Sequence, residues 1–399
     1  MSVVSQQVRS YLESSSWIRR MFEAGREMKA QYGEDNVYDF SLGNPDLPPP
    51  LAVTEGLQSL AQQADRAYAF GYMPNAGYPE LRQGLAERLS REQQVALSQE
   101  DLLVSCGAAG GLNALLRAIL EPGDEVVCPA PFFVEYNFYV QNHGGRLRPV
   151  PCREPDFALD LEGISEAVSA KTRAVLINSP NNPTGRVYSE TELRRLAEIL
   201  EAASREHGRP ILLISDEPYR FLTFDGVQVP PVLSVYSHSV VVSSFSKNLS
   251  LAGERVGYVA VNPQMPEKEE LLQGLVLTNR ILGFVNAPAL GQKLVGYCLD
   301  ASVDISVYEQ RREAMIEVLD AAGYAYAVPQ GAFYFFVQAP GKDDVAFVQT
   351  LQEERVLAVP GSGFGFPGYF RLSFCVPETV IRNGAASLAR ARQRWQASS

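Results

Sequence analysis

Lys247 stands just past a run of valines, in Val240-Val-Val-Ser-Ser-Phe-Ser-Lys247. The run reads as a buried strand, and the Ser-Ser-Phe-Ser turn delivers a single amine beyond its end. An ammonium held there loses water, and desolvation lowers a lysine pKa toward the range where the neutral amine attacks a carbonyl. Eight residues on, Arg255 lies between Gly253 and Gly257 and precedes a second apolar run, Tyr258-Val-Ala-Val261. A guanidinium fixed among small residues suits a phosphate. Arg371, between Phe370 and Leu372, is costly to bury without an anion, and its fork matches a carboxylate. Asp216, after Ile211-Leu-Leu-Ile214 and before Pro218, reads on its own as a helix cap. Asn182, in Asn-Pro-Thr-Gly, has the composition of an ordinary turn.

The elements that must position these groups alternate along the chain. A helix is predicted over residues 15–32, with Trp17, Met21 and Met28 as its apolar stripe and Ser14 or Ser15 as its cap. Val37 to Leu42 alternates like a strand, and the prolines at 48–50 mark a linker and a domain crossing. Pro79 opens a helix with Leu81, Leu85 and Leu89 in register. Asp101–Ser105 is a short strand that runs into Cys106-Gly-Ala-Ala-Gly-Gly111 and a helix from Leu112 to Leu120. Strand, glycine turn and helix together make an anion site, because unpaired amides and the helix dipole point at the ligand. Further strands follow at 124–128, 172–177 and 211–214, and Ser189 with Glu192 has capping-box spacing at the head of a helix that stops near Gly208. Continuous apolar strands separated by helices imply a mostly parallel sheet covered on both faces, with ligands at the carboxyl ends of the strands. After about residue 288 the texture changes to long helices (310–322, 379–395) and short strands (333–337, 370–374). The expected organisation is therefore a large three-layer α/β/α domain over residues 46–288. A smaller α+β domain would be built from residues 1–45 and 289–399.

A chain of 399 residues with 46% hydrophobic and 20% charged residues is globular. The net charge of −11 argues against nucleic acid or an anionic membrane as partner. Five scattered cysteines without a C-x-x-C pair fit reduced thiols in a cytoplasmic protein, and three distant histidines lack metal-ligand spacing, so no metal is expected. The N-terminus lacks signal-peptide features, and no apolar run approaches the ~18 residues a membrane span needs.

Ser-x-Ser-Lys247 followed by Gly-x-Arg255-x-Gly resembles the cofactor-lysine signature of pyridoxal-phosphate enzymes of the aspartate aminotransferase fold, and other pieces follow in that family's order. The resemblance, to class I/II aminotransferases, runs from about residue 36 to 375. It implies fold type I, pyridoxal 5'-phosphate bound to Lys247, and Asp216 as partner of the pyridine nitrogen. It implies further that Tyr219 and Asn182 meet the cofactor's 3-oxygen and that Phe133 stacks on the ring. The amides of Gly107, Ala108 and Ala109, the hydroxyls of Ser244 and Ser246, and Arg255 would hold the phosphate. Tyr72 would reach the phosphate of a neighbouring subunit, making the active unit a homodimer. Arg371 and Gly43 would border the substrate α-carboxylate. The implied reaction is ping-pong transamination between an L-α-amino acid and a 2-oxo acid, with 2-oxoglutarate as the expected acceptor.

The sequence departs from aspartate-specific relatives where a distal carboxylate is held. Ala108-Ala109 stands where some relatives carry a lysine, and Arg280 is one residue out of register ahead of Asn286-Ala-Pro288. Arg19 and Arg20, beside Trp17, fall where relatives line the side-chain pocket, so the cation is one of Arg280, Arg19 and Arg20. Aspartate is the first-choice donor, with aromatic and small neutral amino acids open. A carbon–sulfur β-lyase of the same fold shares Lys247, Asp216 and Arg371. A non-enzymatic sensor would need a DNA-binding module, for which about 35 residues ahead of the first motif leave no room.

Overall fold

The computed structural model describes residues 3–14 and 17–398, without the side chains of residues 13–23 and 398. The chain forms two compact units, one of residues 45–305 with 330–332, the other of the remaining N-terminal and C-terminal stretches. The N-terminal stretch carries α1 (Gln6–Ser14), α2 (Trp17–Tyr32) and β1 (Tyr38–Asp39).

The larger unit opens with α3 (Leu51–Ala61), directly after the prolines, and α4 (Pro79–Gln93), which has Pro79 at its first position and buries Leu81, Leu85 and Leu89. Then strands and helices alternate: β2 (Leu102–Cys106), α5 (Gly107–Ile119), β3 (Glu125–Ala130), α6 (Glu135–Asn142), β4 (Arg146–Pro151), α7 (Leu161–Ala167) and β5 (Thr172–Asn178). They continue with α8 (Glu190–His207), β6 (Leu212–Asp216), β7 (Ser239–Ser244), β8 (Val256–Val261), α9 (Lys268–Ile281) and α10 (Ala289–Tyr297). The seven strands pair in the order β2-β8-β7-β6-β5-β3-β4. Only β8 runs antiparallel, to both β2 and β7. All other pairs are parallel, so β2, β3, β5, β6 and β7 end on one edge. The inner strands are largely apolar because helices cover both faces, and Val127, Val175, Leu213, Val241 and Val259 are fully buried, whereas the edge strand β4 carries Arg146 and Arg148 and is mostly exposed.

The capping box at the head of α8 is present: Ser189 Oγ accepts from the Glu192 amide, and the Glu192 carboxylate accepts from the Ser189 amide at 2.7 Å. Gly208 ends that helix in the left-handed conformation. Residues 289–305, assigned by sequence to the smaller domain, cluster with the larger unit. The reason is local. α10 packs against α3 at Gly56, where an added Cβ would lie 2.9 Å from Leu294 and 3.2 Å from Tyr297.

The smaller unit continues through α11 (Ile305–Ala322), β9 (Tyr334–Gln338), α12 (Asp344–Glu353), β10 (Val356–Leu357), β11 (Val359–Pro360), β12 (Tyr369–Ser373) and α13 (Glu378–Ser398). β11, β12 and β9 form an antiparallel sheet over a phenylalanine core that includes Phe335, Phe347 and Phe370. β1 joins this unit by parallel pairing with β10, and the Ser373 amide donates to the Phe40 carbonyl at 2.8 Å. No helix among the described residues is long and apolar enough to cross a membrane.

Ser189→Ala removes one side of the α8 cap and is expected to lower stability by about 1 kcal/mol, with Ser189→Asp keeping most of it. Thermal melts of the two variants check this.

Candidate active site

The sheet register brings three strand ends of the larger unit into line: Asn178 of β5 lies opposite Asp216 of β6, which lies opposite Val242 of β7. Asn178 then ties its neighbours together. Its Nδ2 donates to the Asp216 carbonyl at 2.8 Å, and its Oδ1 accepts from the Asn182 amide at 2.7 Å. The Asn-Pro-Thr-Gly segment is thus no free turn but is pinned to the end of β6, with Asn182 buried. Tyr219, three residues beyond Asp216, is buried as well.

Asp216 has lost nearly all contact with solvent. Its Oδ2 accepts a 2.5 Å hydrogen bond from the phenol of Tyr136, while Oδ1 has no hydrogen-bond partner among the described residues. Burial pushes its carboxyl up to about 7, the Tyr136 hydrogen bond works against that rise, and the neighbouring Glu217 adds to it. Phe133 meets the Tyr136 ring edge to face, with centroids 5.5 Å apart. Tyr136 and Asn178 were not singled out by sequence. Tyr136 follows Phe132-Phe133 and reads as core; only the fold brings it to Asp216.

The second cluster lies where β7 and β8 meet the start of α5. Gly107 sits at φ +66°, and a Cβ on it would come within 2.6 Å of the Arg255 guanidinium. A Cβ on Gly257 would come within 2.5–2.8 Å of the Gly107 carbonyl carbon, the Ser243 oxygen and the Ala108 nitrogen, all backbone atoms. Helix and strands therefore close on each other only because both positions are glycine. Arg255 is itself left-handed (φ 54°), and its Nη1 donates to the Ala252 carbonyl at 2.7 Å. The head of α5 receives no side-chain cap, which leaves the amides of Gly107, Ala108 and Ala109 to face an anion. Ser244, paired with Gly257, and Ser246 are both buried next to this cluster in sequence. Lys247 follows, partly buried, three residues past the end of β7. Tyr72 is almost fully exposed.

In the smaller unit, Arg371 of β12 is buried, with Nη2 donating to the Ser41 carbonyl at 2.5 Å. Its guanidinium carbon lies 4.6 Å from the Tyr334 ring centroid and 4.9 Å from that of Phe364. A Cβ on Gly43 would collide with the Tyr334 hydroxyl, so the ring that supports Arg371 also requires the glycine. Arg280 lies exposed on α9, in a surface groove of about 340 Å³ with Asn75, Arg82 and Glu100, whose lining includes none of the residues of the two clusters. The side chains of Trp17, Arg19 and Arg20 are outside the described residues.

These features fit pyridoxal phosphate: a buried acid with one unpartnered oxygen suits a protonated ring nitrogen, and a glycine-walled helix head beside an arginine suits the phosphate. The fold is that of the fold type I pyridoxal-phosphate proteins. Residues 35–388 match the family described as aminotransferase class I and II, and the chain belongs to that family. It is 34% identical over 379 residues to a protein named probable aspartate/prephenate aminotransferase from Aquifex aeolicus, covering 92% of this chain and 93% of the relative. An aminotransferase structure from Eubacterium rectale superposes with a TM-score of 0.95 at 39% identity, over 99% of this chain and 100% of that one. The aspartate aminotransferase of Thermus thermophilus solved with maleate gives 0.87 at 29% identity, over 98% and 100%.

The raised Asp216 value has a sign that can be tested. The unfolded group titrates near ~4, so the folded chain free of cofactor favours the protonated acid. That contribution is whole below about pH 4 and is lost as pH rises through about 7. Cofactor-free wild type is expected to lose thermal stability between pH 5 and 8 relative to Asp216→Asn, by about 2–3 kcal/mol. Paired melts across that range check it.

Proposed function

We propose that this chain transfers the amino group of an L-α-amino acid, aspartate by first choice, to a 2-oxo acid such as 2-oxoglutarate, with pyridoxal phosphate as cofactor. The observation that carries the reading is the buried Asp216 with one oxygen satisfied by Tyr136 and the other unpartnered. The names of the relatives and the maleate bound to the Thermus thermophilus enzyme, a dicarboxylate, support aspartate.

When bound, pyridoxal phosphate supplies an aldehyde that exchanges amines and a ring that accepts electrons. The residues divide the remaining work. Asp216 keeps a proton on the ring nitrogen by its negative charge. Lys247 holds the aldehyde between turnovers and, once displaced by the incoming amine, takes the proton from the substrate Cα and returns it. Tyr219 and Asn182 hydrogen-bond the ring oxygen, and Phe133 covers a ring face. The amides of Gly107, Ala108 and Ala109, with Ser244, Ser246 and Arg255, fix the phosphate, which anchors the reacting atoms. Arg371 and the backbone of Gly43 take the α-carboxylate. The second oxo acid runs the same steps in reverse at the same site, giving ping-pong kinetics. Exposure of Tyr72 supports a homodimer in which that phenol reaches the partner's phosphate. The cytoplasm is the proposed compartment, in keeping with five cysteines that form no disulfide.

Half-reaction spectra of the cofactor-loaded chain with a panel of amino acids test the proposal. Lys247→Ala should slow the reaction by at least ~10²-fold, and Arg371→Ala should lower kcat/KM by roughly 10²–10³-fold for every donor. Ammonia and pyruvate released from cystathionine, in place of oxo-acid-dependent transfer, would show a lyase instead. Arg280→Ala should weaken aspartate alone if Arg280 is the distal-carboxylate ligand. Unchanged aspartate reactivity passes that role to Arg19 or Arg20.

A further inference from the structure

Tyr136 forms the one hydrogen bond made to the Asp216 carboxylate by the described residues, and several features fix it in place. It lies in the first turn of α6, its amide donates to the Phe133 carbonyl at 3.0 Å, and its ring is held edge to face by Phe133. Phenol and carboxylate are both almost wholly buried, and their oxygens are 2.5 Å apart. The bond engages Oδ2 only, leaving Oδ1 without a partner. We propose that Tyr136 is a positioning residue that fixes the rotamer of Asp216 and favours its ionised form, so that one oxygen is presented to the ring nitrogen of the cofactor. This rests on the proposed function for the identity of the cofactor, but the hydrogen bond acts on Asp216 whether or not anything is bound.

The phenol is a dependable donor. Burial first, then the charge of Asp216 and the hydrogen bond to it, push its own pKa well above the usual tyrosine range, so it stays protonated wherever the protein is folded. A phenol is neutral, so it stabilises the carboxylate without making an ion pair that would compete with a protonated ring for the anion's charge. Other titratable groups that act on the pair include Glu217 after β6, Tyr139 on α6 and Cys128 on β3, with Glu135 and Arg255 acting on Tyr139. None of these donates to the Asp216 carboxylate. Glu217 repels its charge, while the hydrogen bond from the Tyr136 hydroxyl opposes the effect of burial.

The test follows the ionisation of Asp216 directly in the full chain stripped of cofactor, by ¹³C NMR of side-chain carboxyl carbons, with the Asp216 signal assigned by its loss in Asp216→Asn. Tyr136→Phe keeps the ring and removes the donor. It is expected to raise the Asp216 pKa by about one to two units, the worth of a hydrogen bond to a charged group. Tyr136→His restores a donor and should bring the titration back toward the wild-type value. A Tyr136→Phe shift of under about 0.3 units, far below a charged hydrogen bond, overturns the inference. So does a His variant that titrates as high as the Phe variant. Should Tyr136→Phe fail to fold, the His variant decides alone: a titration near wild type supports the role, and one raised by a unit or more overturns it. Pyridoxal phosphate is then added back to the stripped wild-type chain and its binding followed by absorbance near ~420 nm. A shifted titration in the Phe variant together with a wild-type chain that binds no pyridoxal phosphate sinks the functional reading and leaves the role of Tyr136 standing.

Discussion

A carboxylate stripped of water at the end of a parallel strand is the constraint on which the rest of this structure turns. Such a group survives in a folded chain only when protonated, or when other groups take the place of its solvent. Among the described residues Asp216 has a single replacement on its side chain, Tyr136, and its main chain is tied to Asn178. The parallel register of β5, β6 and β7 makes this arrangement possible, because it sets three strand ends side by side where helices cannot cover them. A ligand that brings a cationic N–H to Oδ1 completes the solvation of the acid. Cofactor binding and folding stability are then linked through this one atom, and the linked stabilisation grows with cofactor concentration as for any ligand that prefers the folded state.

The two arginines given to anions are held by opposite means. Arg255 is exposed, and a left-handed backbone and a bond to its own turn aim it across Gly107. Arg371 is buried and held on two aromatic faces and a carbonyl, none of which carries a full charge. Rings and carbonyls orient a guanidinium by contacts that carry no full charge of their own. Glycine is required in both places because a neighbour occupies the space a Cβ would need: Arg255 over Gly107, Tyr334 over Gly43.

Much of this could be read from the chain in one dimension. Central strands β5, β6 and β7 announce themselves as unbroken apolar runs, since both of their faces are covered, and α8 is bracketed by its capping box and Gly208. What escaped were features decided by partners far along the chain. The glycines after Cys106 read as a turn before a helix that begins at Leu112. They are instead the first turn of α5, packed so closely that a Cβ on Gly111 would lie 2.8 Å from Val259 and 2.9 Å from Ser105. The reversal of β8 leaves no trace in its composition, because an antiparallel strand inside a covered sheet is as apolar as a parallel one. Prolines 48–50, by contrast, mark the connection ahead of α3 as the sequence implies, with residues 42–50 free of helix and strand and the boundary between the two units at 44/45. Tyr136 is the sharpest case: its sequence context is that of any core aromatic, and its role exists only through a contact with a residue 80 positions away.

The proposed substrates are anions, and the chain carries a net charge of −11. Its overall field therefore opposes their approach, more strongly at low salt, where charges are felt over a longer range. Recognition must come from short-range groups whose attraction exceeds that repulsion at contact distance. A buried guanidinium does this, because the Coulomb energy of a pair 4 Å apart rises from about 1 kcal/mol in water to about 4 kcal/mol at an effective dielectric of about 20. Much of the charge, by contrast, is tied up in surface pairs such as Arg382 with Glu378 or Arg394 with Glu353, whose fields largely cancel beyond a Debye length. Net acidity and the proposed anion specificity are therefore compatible: the first would set how an anionic substrate arrives, and the burial of a guanidinium such as that of Arg371 how firmly it is held.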